Sequence, residues 1–211
     1  EAAIDETCRV LQVRGRIIPA SLQDVKLVGT FDNGLEVLGE SKIPQQGYPP
    51  KKIRLSSDKV QPHPQALRAI SDADLILIGP GSLYTSILPN LLVSGMVEAL
   101  QDTTVPRVYI SNVATQYGET NGYSAARHYA VLCEHVGASN IATVVLANDN
   151  IVTESFPPEW KSQPVIADTE SSYGDARLVL ADVVDETKRY RHDSDKLLSA
   201  ILSIFANSNQ A

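Results

Sequence analysis

The sequence predicts an α/β protein with an open, three-layer arrangement around a largely parallel sheet, and an antiparallel hairpin insertion near the N-terminus. Two observations lead to this fold class. Across residues 64–150, short apolar runs alternate with helix-like segments, which is typical of successive βα units on a parallel sheet. Residues 13–55 instead carry two short strand-like runs on either side of an Asp-Asn-Gly turn, a pattern that predicts a hairpin.

The amino-acid composition limits the size of the core and the class of protein. The chain has 211 residues, of which 43% are hydrophobic and 20% charged, enough for one sizeable core. With 12 Gly, 12 Pro and 2 Cys it is neither disordered throughout, collagen-like nor a disulfide scaffold. A net charge of −7 argues against a nucleic-acid-coating role, although it leaves a local basic pocket open. We expect a single α/β domain over residues 1–211, with residues 151–211 supplying C-terminal strands and a helix.

Cysteine use and hydropathy indicate a soluble, cytoplasmic protein. Cys8 and Cys133 lie on separate helix-like segments and have no metal-ligand spacing, which favours a reducing compartment. The most apolar stretch, 87–100, contains Pro89 and Gly95 and is too short to cross a bilayer. The polar first twelve residues do not resemble a signal peptide. We therefore expect no membrane span.

The N-terminal elements are a helical segment and a small antiparallel ribbon. Residues 1–12 have helical apolar spacing. The runs 25–31 and 35–40 flank Asp32-Asn33-Gly34, and Asn-Gly accepts the positive φ of a tight hairpin turn. A Pro- and Gly-rich loop then leads to KKIRL at 51–55, which predicts a third short strand. The ribbon carries no evident catalytic constellation.

The alternating region begins with a short helix at 64–71, entered through a proline. The continuous apolar run LILIG at 75–79 predicts a strand buried on both faces of a parallel sheet. A Gly-rich turn and an apolar helix that ends near Gln101 follow it. RVYISN at 107–112 predicts the next buried strand.

The second half of the chain continues the alternation and then becomes less regular. A helix from Ser124 to Gly137 has a serine N-cap and a glycine stop, and ATVVLAN at 142–148 predicts another strand. QPVIA at 163–167 and ARLVLA at 176–181 predict two further short strands. Asp193 caps a last amphipathic helix.

The loop after the strand at 75–79 is the first candidate for chemistry, because ligands of open α/β sheets lie beyond the carboxyl ends of the strands. Residues 79–86 read GPGSLYTS, with two glycines for close backbone approach and four hydroxyl residues in five positions. A tight turn with an N-cap would need fewer of them, so we favour anion binding, although the loop is neither a Walker loop nor GxGxxG. The candidate phosphate-binding residues here are Gly79, Gly81, Ser82, Tyr84, Thr85, Ser86 and Asn90.

The loop at 113–123 is the second candidate. Its eleven residues exceed the usual βα connection, which favours a ligand-facing role over a merely solvated connection. Glu119 could act as a base or a metal partner, but a lone carboxylate more often caps a backbone group or faces solvent. His128 lies one turn into the next helix, where a packing or capping role and a functional role are equally compatible with the sequence. The candidate ligand residues here are Asn112, Thr115, Gln116, Gly118, Glu119 and Thr120.

Two further residues complete the candidate site. Arg191, beside His192 and just ahead of the last helix, could hold a diphosphate bidentately. Trp160 is the only tryptophan, and it could stack on a nucleobase or cap the core. Asn148-Asp149-Asn150 is more typical of an ordinary turn. The histidines are scattered, and no zinc site or Ser-His-Asp set is evident, so no catalytic residue and no metal ligand is assigned.

The loops also carry a resemblance. GPGSLYTSILPNLL and TQYGETNGYSA are long, gap-free runs that resemble the YvcK/CofD family, which contains bacterial gluconeogenesis factors and 2-phospho-L-lactate transferases. GESKIP at 39–44 is more similar to the YvcK branch. The matching runs lie at 13–25, 39–44, 73–100, 108–128 and 190–197.

The resemblance implies a Rossmann-like three-layer sandwich with 79–86 and 115–120 lining the ligand cleft. It implies a cytoplasmic regulator that binds a nucleotide diphosphate such as a UDP-sugar and links carbon metabolism to cell shape and cell-wall supply. Its alternative is a transferase that moves a phospholactyl group from a nucleotide-activated donor to a deazaflavin with a divalent metal, for which Mg²⁺ would be the cofactor. A homo-oligomer is compatible with either function.

The chain also departs from the family pattern. Relatives open with a Gly-Gly-Gly-Thr-Gly loop and an Asp-Asp-Gly-Gly-Ser segment, neither of which occurs here, and residue 1 is Glu. We therefore expect an N-terminally incomplete domain that binds its ligand poorly. Tyr117 stands where the family often has Pro or Asn, and Ala126-Arg127 where relatives often have Ser-Asp.

Overall fold

The structure is a computed structural model that describes residues 15–150 and 156–208. The predicted helix at 1–12 and Cys8 lie outside the described residues. None of the helices in the described ranges is long and apolar enough to cross a membrane.

A small antiparallel sheet forms first along the chain. Its strand order is β2-β1-β3, and the predicted hairpin is confirmed, with Gly34 at φ 81° in the turn. Two short 3₁₀ turns lie between β2 and β3 and place Ile43 beneath the sheet. The strands are β1 (Leu27–Thr30), β2 (Glu36–Leu38) and β3 (Lys52–Leu55), and the 3₁₀ turns are Glu40–Lys42 and Pro44–Gln46.

In the described part of the chain, the second sheet has four strands, which are all parallel and lie in chain order. The predicted strand at 176–181 is confirmed as its fourth member. The segment 163–167 is not a strand as predicted, because only Pro164 bridges to Ala114 and Val165 donates to the carbonyl of Val113. The strands are β4 (Ile76–Ile78), β5 (Arg107–Ile110), β6 (Val144–Asn148) and β7 (Arg177–Ala181).

Helices connect the strands, and their caps follow the sequence signals. Ser124 Oγ accepts the amide of Arg127, and the Asp193 carboxylate accepts the amide of Lys196. The predicted helix ending near Gln101 is instead broken into a π-helical turn (Leu83–Ile87) and two short helices. The helices are α1 (Pro64–Ser71), α2 (Leu88–Leu91), α3 (Met96–Gln101), α4 (Ala125–Val136) and α5 (Ser194–Ser208).

Alternation along the central strands produces the three layers. Val108 and Ile110 of β5 pack in one buried cluster with Ile201 and Ile204 of α5. Tyr109, between them, belongs to the larger cluster that includes α4 on the opposite face. Because successive strand residues point to opposite faces, the parallel sheet is covered on both sides. The α/β three-layer fold class is confirmed.

Strand β4 differs from its prediction. The run LILIG predicts a strand buried on both faces, but β4 has only three residues and lies at the edge of the described sheet. Leu77 is 43% exposed as a result. An apolar run indicates that a segment tends to be buried. It does not indicate whether another strand or helix covers that segment in the fold.

The two sheets share one hydrophobic core. Ile43 and Ile53 of the antiparallel part lie in the same buried cluster as Leu83 and Tyr84, which follow β4. The insertion is therefore packed against the segment that begins at the end of β4.

Candidate functional site

A cavity of about 430 Å³ opens beyond the carboxyl ends of β4 and β5, where an open parallel sheet places its ligands. Three separate parts of the chain converge on it: the loop after β4, the loop after β5, and the segments before α5. The lining residues are Pro80, Gly81, Ser82, Asn112, Val113, Ala114, Thr115, Gln116, Trp160, Ser162, Tyr190, Arg191 and His192.

The structure brings about half of the candidate residues to this cavity. Those that line it are Gly81, Ser82, Asn112, Thr115, Gln116, Trp160 and Arg191. Ser86 and Asn90 lie instead in an apolar groove beside β4, where the Asn90 amide donates to the Ser86 carbonyl at 2.6 Å. Tyr84 is buried, and its hydroxyl meets that of Tyr123 at 3.0 Å.

Ser82 ends the first loop by capping the π-helical turn, with its Oγ accepting the amide of Thr85 at 3.1 Å. The turn has only five residues, so a helix dipole contributes little to anion binding here. Any anion selectivity of this cavity must therefore come from side chains and loop amides.

Glu119 lies behind Ser82 rather than in solvent. It is 4% exposed, and it contacts the hydroxyls of Ser82 and Thr85, the latter at 3.3 Å. Burial raises the pKa of the Glu119 carboxyl, while hydrogen bonds from the two hydroxyls act in the opposite direction. Of the alternatives for this carboxylate, a charge in solvent is therefore wrong.

Hydrogen bonds hold the second loop against its neighbours. The side-chain amide of Asn112 donates to the carbonyl of Gly81 at 3.0 Å, which ties the two loops together. Thr115 exchanges two hydrogen bonds of 2.8 Å with the backbone of Gln163. Thr120 Oγ1 accepts the amide of Gln116 at 2.9 Å. These hydrogen bonds hold the first two walls of the cavity together.

The third wall supplies aromatic rings and a cation. Trp160 and Tyr190 meet edge to face, with ring centroids 4.4 Å apart, and Trp160 is 39% exposed. The Arg191 guanidinium lies over the Tyr190 ring at 5.3 Å. No described carboxylate lies within ion-pair distance of Arg191, which leaves its donors directed to no acidic partner. Tyr190 and Ser162 are cavity residues that sequence reasoning missed, although Tyr190 adjoins the Arg-His pair.

His192 is fixed as a neutral ring beside Arg191. Its Nε2 donates to the carbonyl of Ser111 at 3.1 Å, and burial lowers its pKa. The proton on Nε2 leaves Nδ1 as an acceptor. His128, by contrast, is fully buried with Nδ1 against the Ser124 carbonyl and does not line the cavity.

Within 15–150 and 156–208, no three His, Cys, Asp or Glu side chains are grouped closely enough to hold a metal ion. The carboxyl oxygens of Glu119 are engaged by the hydroxyls of Ser82 and Thr85. Mg²⁺ commonly binds through one or two carboxylates together with substrate phosphates, so Mg²⁺ stays an expectation of the transferase alternative.

Comparison with known proteins places this chain in a family. Residues 1–185 match the family of 2-phospho-L-lactate transferase CofD. This chain belongs to the CofD family. It is 39% identical over 204 residues to the gluconeogenesis factor of Halalkalibacterium halodurans, covering 94% of this chain and 63% of that protein. It is 38% identical over 207 residues to the gluconeogenesis factor of Bacillus subtilis, covering 96% and 65%.

A solved structure agrees with the sequence relatives. A crystal structure of a Bacillus halodurans protein superposes with a TM-score of 0.87 at 38% identity, covering 95% of this chain and 66% of that one. The chain spans a little under two thirds of the length of the two gluconeogenesis factors. The family resemblance is confirmed, and the cavity described above lies on a fold shared with that structure.

Proposed function

We propose that this CofD-family chain is the nucleotide-sugar-binding part of a gluconeogenesis factor. In this proposal it is a cytoplasmic regulator that binds a UDP-sugar and links carbon metabolism to cell shape and cell-wall supply. One observation carries the proposal. Arg191, which has no acidic partner among the described residues, lines the same cavity as the Trp160–Tyr190 ring pair.

Each part of a UDP-sugar has a chemical counterpart in the lining. The guanidinium of Arg191 suits the diphosphate, because it can offer two parallel hydrogen bonds to phosphate oxygens. Trp160, which is 39% exposed, suits a nucleobase, because bases stack on aromatic rings. Asn112 and Gln116 offer side-chain amides that suit the hydroxyls of a sugar.

The names of the relatives support the assignment to a gluconeogenesis factor. Proteins called gluconeogenesis factors are 38–39% identical to this chain over more than nine tenths of its length. Since the chain spans only part of those proteins, the role of the whole protein is inferred from them and is not carried by the cavity alone.

Isothermal titration calorimetry of the full-length protein with UDP-glucose and UDP-N-acetylglucosamine tests the proposal. We expect Arg191→Ala to weaken binding by about tenfold to a hundredfold, since a hydrogen bond to a charged group is lost. Trp160→Ala should weaken it about tenfold through lost stacking. Arg68→Ala, at an exposed position on α1, is the matched control and should bind like the wild type.

Two results contradict the proposal. One is the absence of UDP-sugar binding by the wild-type protein. The other is binding that Arg191→Ala and Trp160→Ala leave unchanged, because the ligand would then lie elsewhere.

A second candidate is favoured by the family itself, whose description is that of a 2-phospho-L-lactate transferase. This function would transfer a phospholactyl group from a nucleotide-activated donor to a deazaflavin acceptor. The test is product formation from these two substrates with Mg²⁺ present, followed by mass spectrometry. No product with active donor and acceptor contradicts it, and the genome of the source organism can be searched for the genes of deazaflavin synthesis.

A further inference from the structure

Three oxygen-bearing side chains form a closed contact below the cavity. Ser82 Oγ touches Thr85 Oγ1 at 2.6 Å, and each hydroxyl also touches one oxygen of Glu119. Ser82 lines the cavity, whereas Glu119 lies behind it. We call these three side chains the hydroxyl–carboxyl ring.

Counting hydrogens in this ring identifies the state of Glu119. Each of its three contacts joins two oxygens and needs one hydrogen between them. Ser82 and Thr85 supply one hydroxyl hydrogen each, and an ionised Glu119 supplies none. With Glu119 ionised, one of the three contacts would therefore have no hydrogen between its two oxygens. A protonated Glu119 supplies the third hydrogen, and all three contacts then become hydrogen bonds.

The surroundings of Glu119 favour the neutral form as well. The carboxyl is almost fully buried, and no described Lys, Arg or His lies within ion-pair distance of it. Burying an unpaired charge is costly, and burial is the largest influence on Glu119, raising its pKa. Hydrogen bonds from the Ser82 and Thr85 hydroxyls and from the backbone of Tyr84 and Thr85 act in the opposite direction.

Other titratable groups on the adjoining elements do not supply a counter-charge. Tyr84 and Tyr123 share a hydroxyl contact, and burial raises the pKa of Tyr84, so it stays neutral. Burial lowers the pKa of His128 at the start of α4, which keeps it neutral too. Arg191 and His192 belong to the third wall of the cavity.

We propose that Glu119 is a protonated carboxylic acid in the resting protein, and that its proton is required for binding an anionic ligand above Ser82. The second half rests on the proposed function, because it takes the ligand to be a nucleotide diphosphate. The first half concerns the free protein alone.

The proton bears on the ligand through charge. It removes a negative charge from behind Ser82, which would otherwise repel a diphosphate in a site of low dielectric.

The binding test compares wild-type protein with Glu119→Gln, whose amide donates a hydrogen at every pH. UDP-glucose is the probe, because its doubly esterified diphosphate keeps the same charge across the neutral range. We expect wild-type affinity to fall as the pH rises, approaching tenfold per pH unit once Glu119 titrates, and to recover on acidification. Glu119→Gln should keep more of its affinity, and calorimetry in two buffers of different ionisation enthalpy should show greater proton uptake by the wild type than by Glu119→Gln.

Two features keep this comparison clean. His192 also lines the cavity and gains charge on acidification, but it does so in both proteins, so the difference between them reports Glu119. Glu170→Gln, which removes an exposed carboxylate from another loop, is the control and should follow the wild-type profile. Identical pH profiles for wild type and Glu119→Gln overturn the inference.

A ligand-free measurement separates this inference from the proposed function. A group whose pKa is raised on folding adds stability at low pH and loses it as the pH rises through the folded value. The wild type should therefore lose stability relative to Glu119→Gln on alkalinisation, measured by urea unfolding. If these curves diverge while UDP-glucose binds neither protein, the function is wrong and the proton assignment stands. If the two curves run parallel, the protonation of Glu119 is wrong, whichever ligand binds.

Should Glu119→Gln fail to fold, an infrared band of a buried carboxylic acid in wild-type protein at neutral pH supports the assignment, and its absence overturns it.

Discussion

Gly118 shows how a single residue couples the two parts of the molecule. Its φ is +84°, a conformation that side chains other than glycine rarely adopt. A Cβ built on it would lie 2.0 Å from the carbonyl oxygen of Pro44, in the 3₁₀ turn of the insertion. The backbone of the insertion therefore rests directly on the loop that carries Glu119.

We expect Gly118→Ala to lower the free energy of unfolding by more than about 3 kcal/mol, because backbone strain and a backbone clash add together. Gly122→Ala is the matched control, since Gly122 has φ +71° with no atom within 4 Å of a built Cβ. That change should cost only about 1 to 2 kcal/mol, the penalty of a left-handed residue. Urea unfolding measures both, and equal losses would contradict a close Pro44 contact.

At the scale of elements, His135 joins helix α4 to strand β3. Its Nδ1 donates to the carbonyl of Val131 at 2.8 Å within the helix. Its Nε2 accepts the amide of Ile53 at 3.3 Å, so the ring is neutral in this arrangement. Burial is the main cause that lowers the pKa of His135, and the nearby charges of Lys52 and Arg127 lower it further.

This geometry predicts acid sensitivity at the junction. A group with a lowered pKa adds stability above its unfolded value, about 6.5 for His, and loses it as the pH falls through the folded value. Protonated Nε2 cannot accept from Ile53, so the protection factor of the Ile53 amide against hydrogen exchange should fall as the pH drops through the folded pKa of His135. The pKa values of His128 and His192 are also lowered, so both residues reduce stability at acidic pH as well. Comparison with His135→Gln therefore isolates the contact between His135 and Ile53. Unchanged Ile53 protection at acidic pH would contradict it.

Local signals were sufficient for most elements. Asp32-Asn33-Gly34 turns the hairpin, and Ser124 and Asp193 cap their helices as the sequence predicts, because each signal acts within a few residues. The edge position of β4 and the loss of a strand at 163–167 depend on which segments lie alongside, and no local pattern encodes that.

The candidate site was predictable to a similar depth. Loop chemistry selected Ser82, Asn112 and Arg191, and the structure brings all three to the cavity wall, while their role in ligand binding stays a prediction. It could not show that Ser86 turns away to the groove beside β4, or that Glu119 turns inward behind Ser82. Both depend on the direction of a side chain in three dimensions.

At the scale of the whole molecule, Ile43 is fully buried, and a Cβ built on Gly29 of β1 would lie 3.0 Å from its side chain. Ile43 belongs to the core cluster shared by both sheets, and Pro44, its neighbour, supports Gly118. Core, insertion and ligand loop are thus joined in series, so they should unfold as one unit.

We expect Ile43→Ala to lower the free energy of unfolding by about 2 to 5 kcal/mol, through lost apolar burial and the cavity left behind. Trp160, the only tryptophan, reports the cavity wall, while circular dichroism reports both sheets and the helices. Because the core is continuous, the two signals should shift together and remain coincident in urea. Leu202→Ala, at an exposed position on α5, is the control and should change stability by less than about 0.5 kcal/mol. A circular dichroism transition that moves while the Trp160 transition stays in place would show that the insertion unfolds independently of the site.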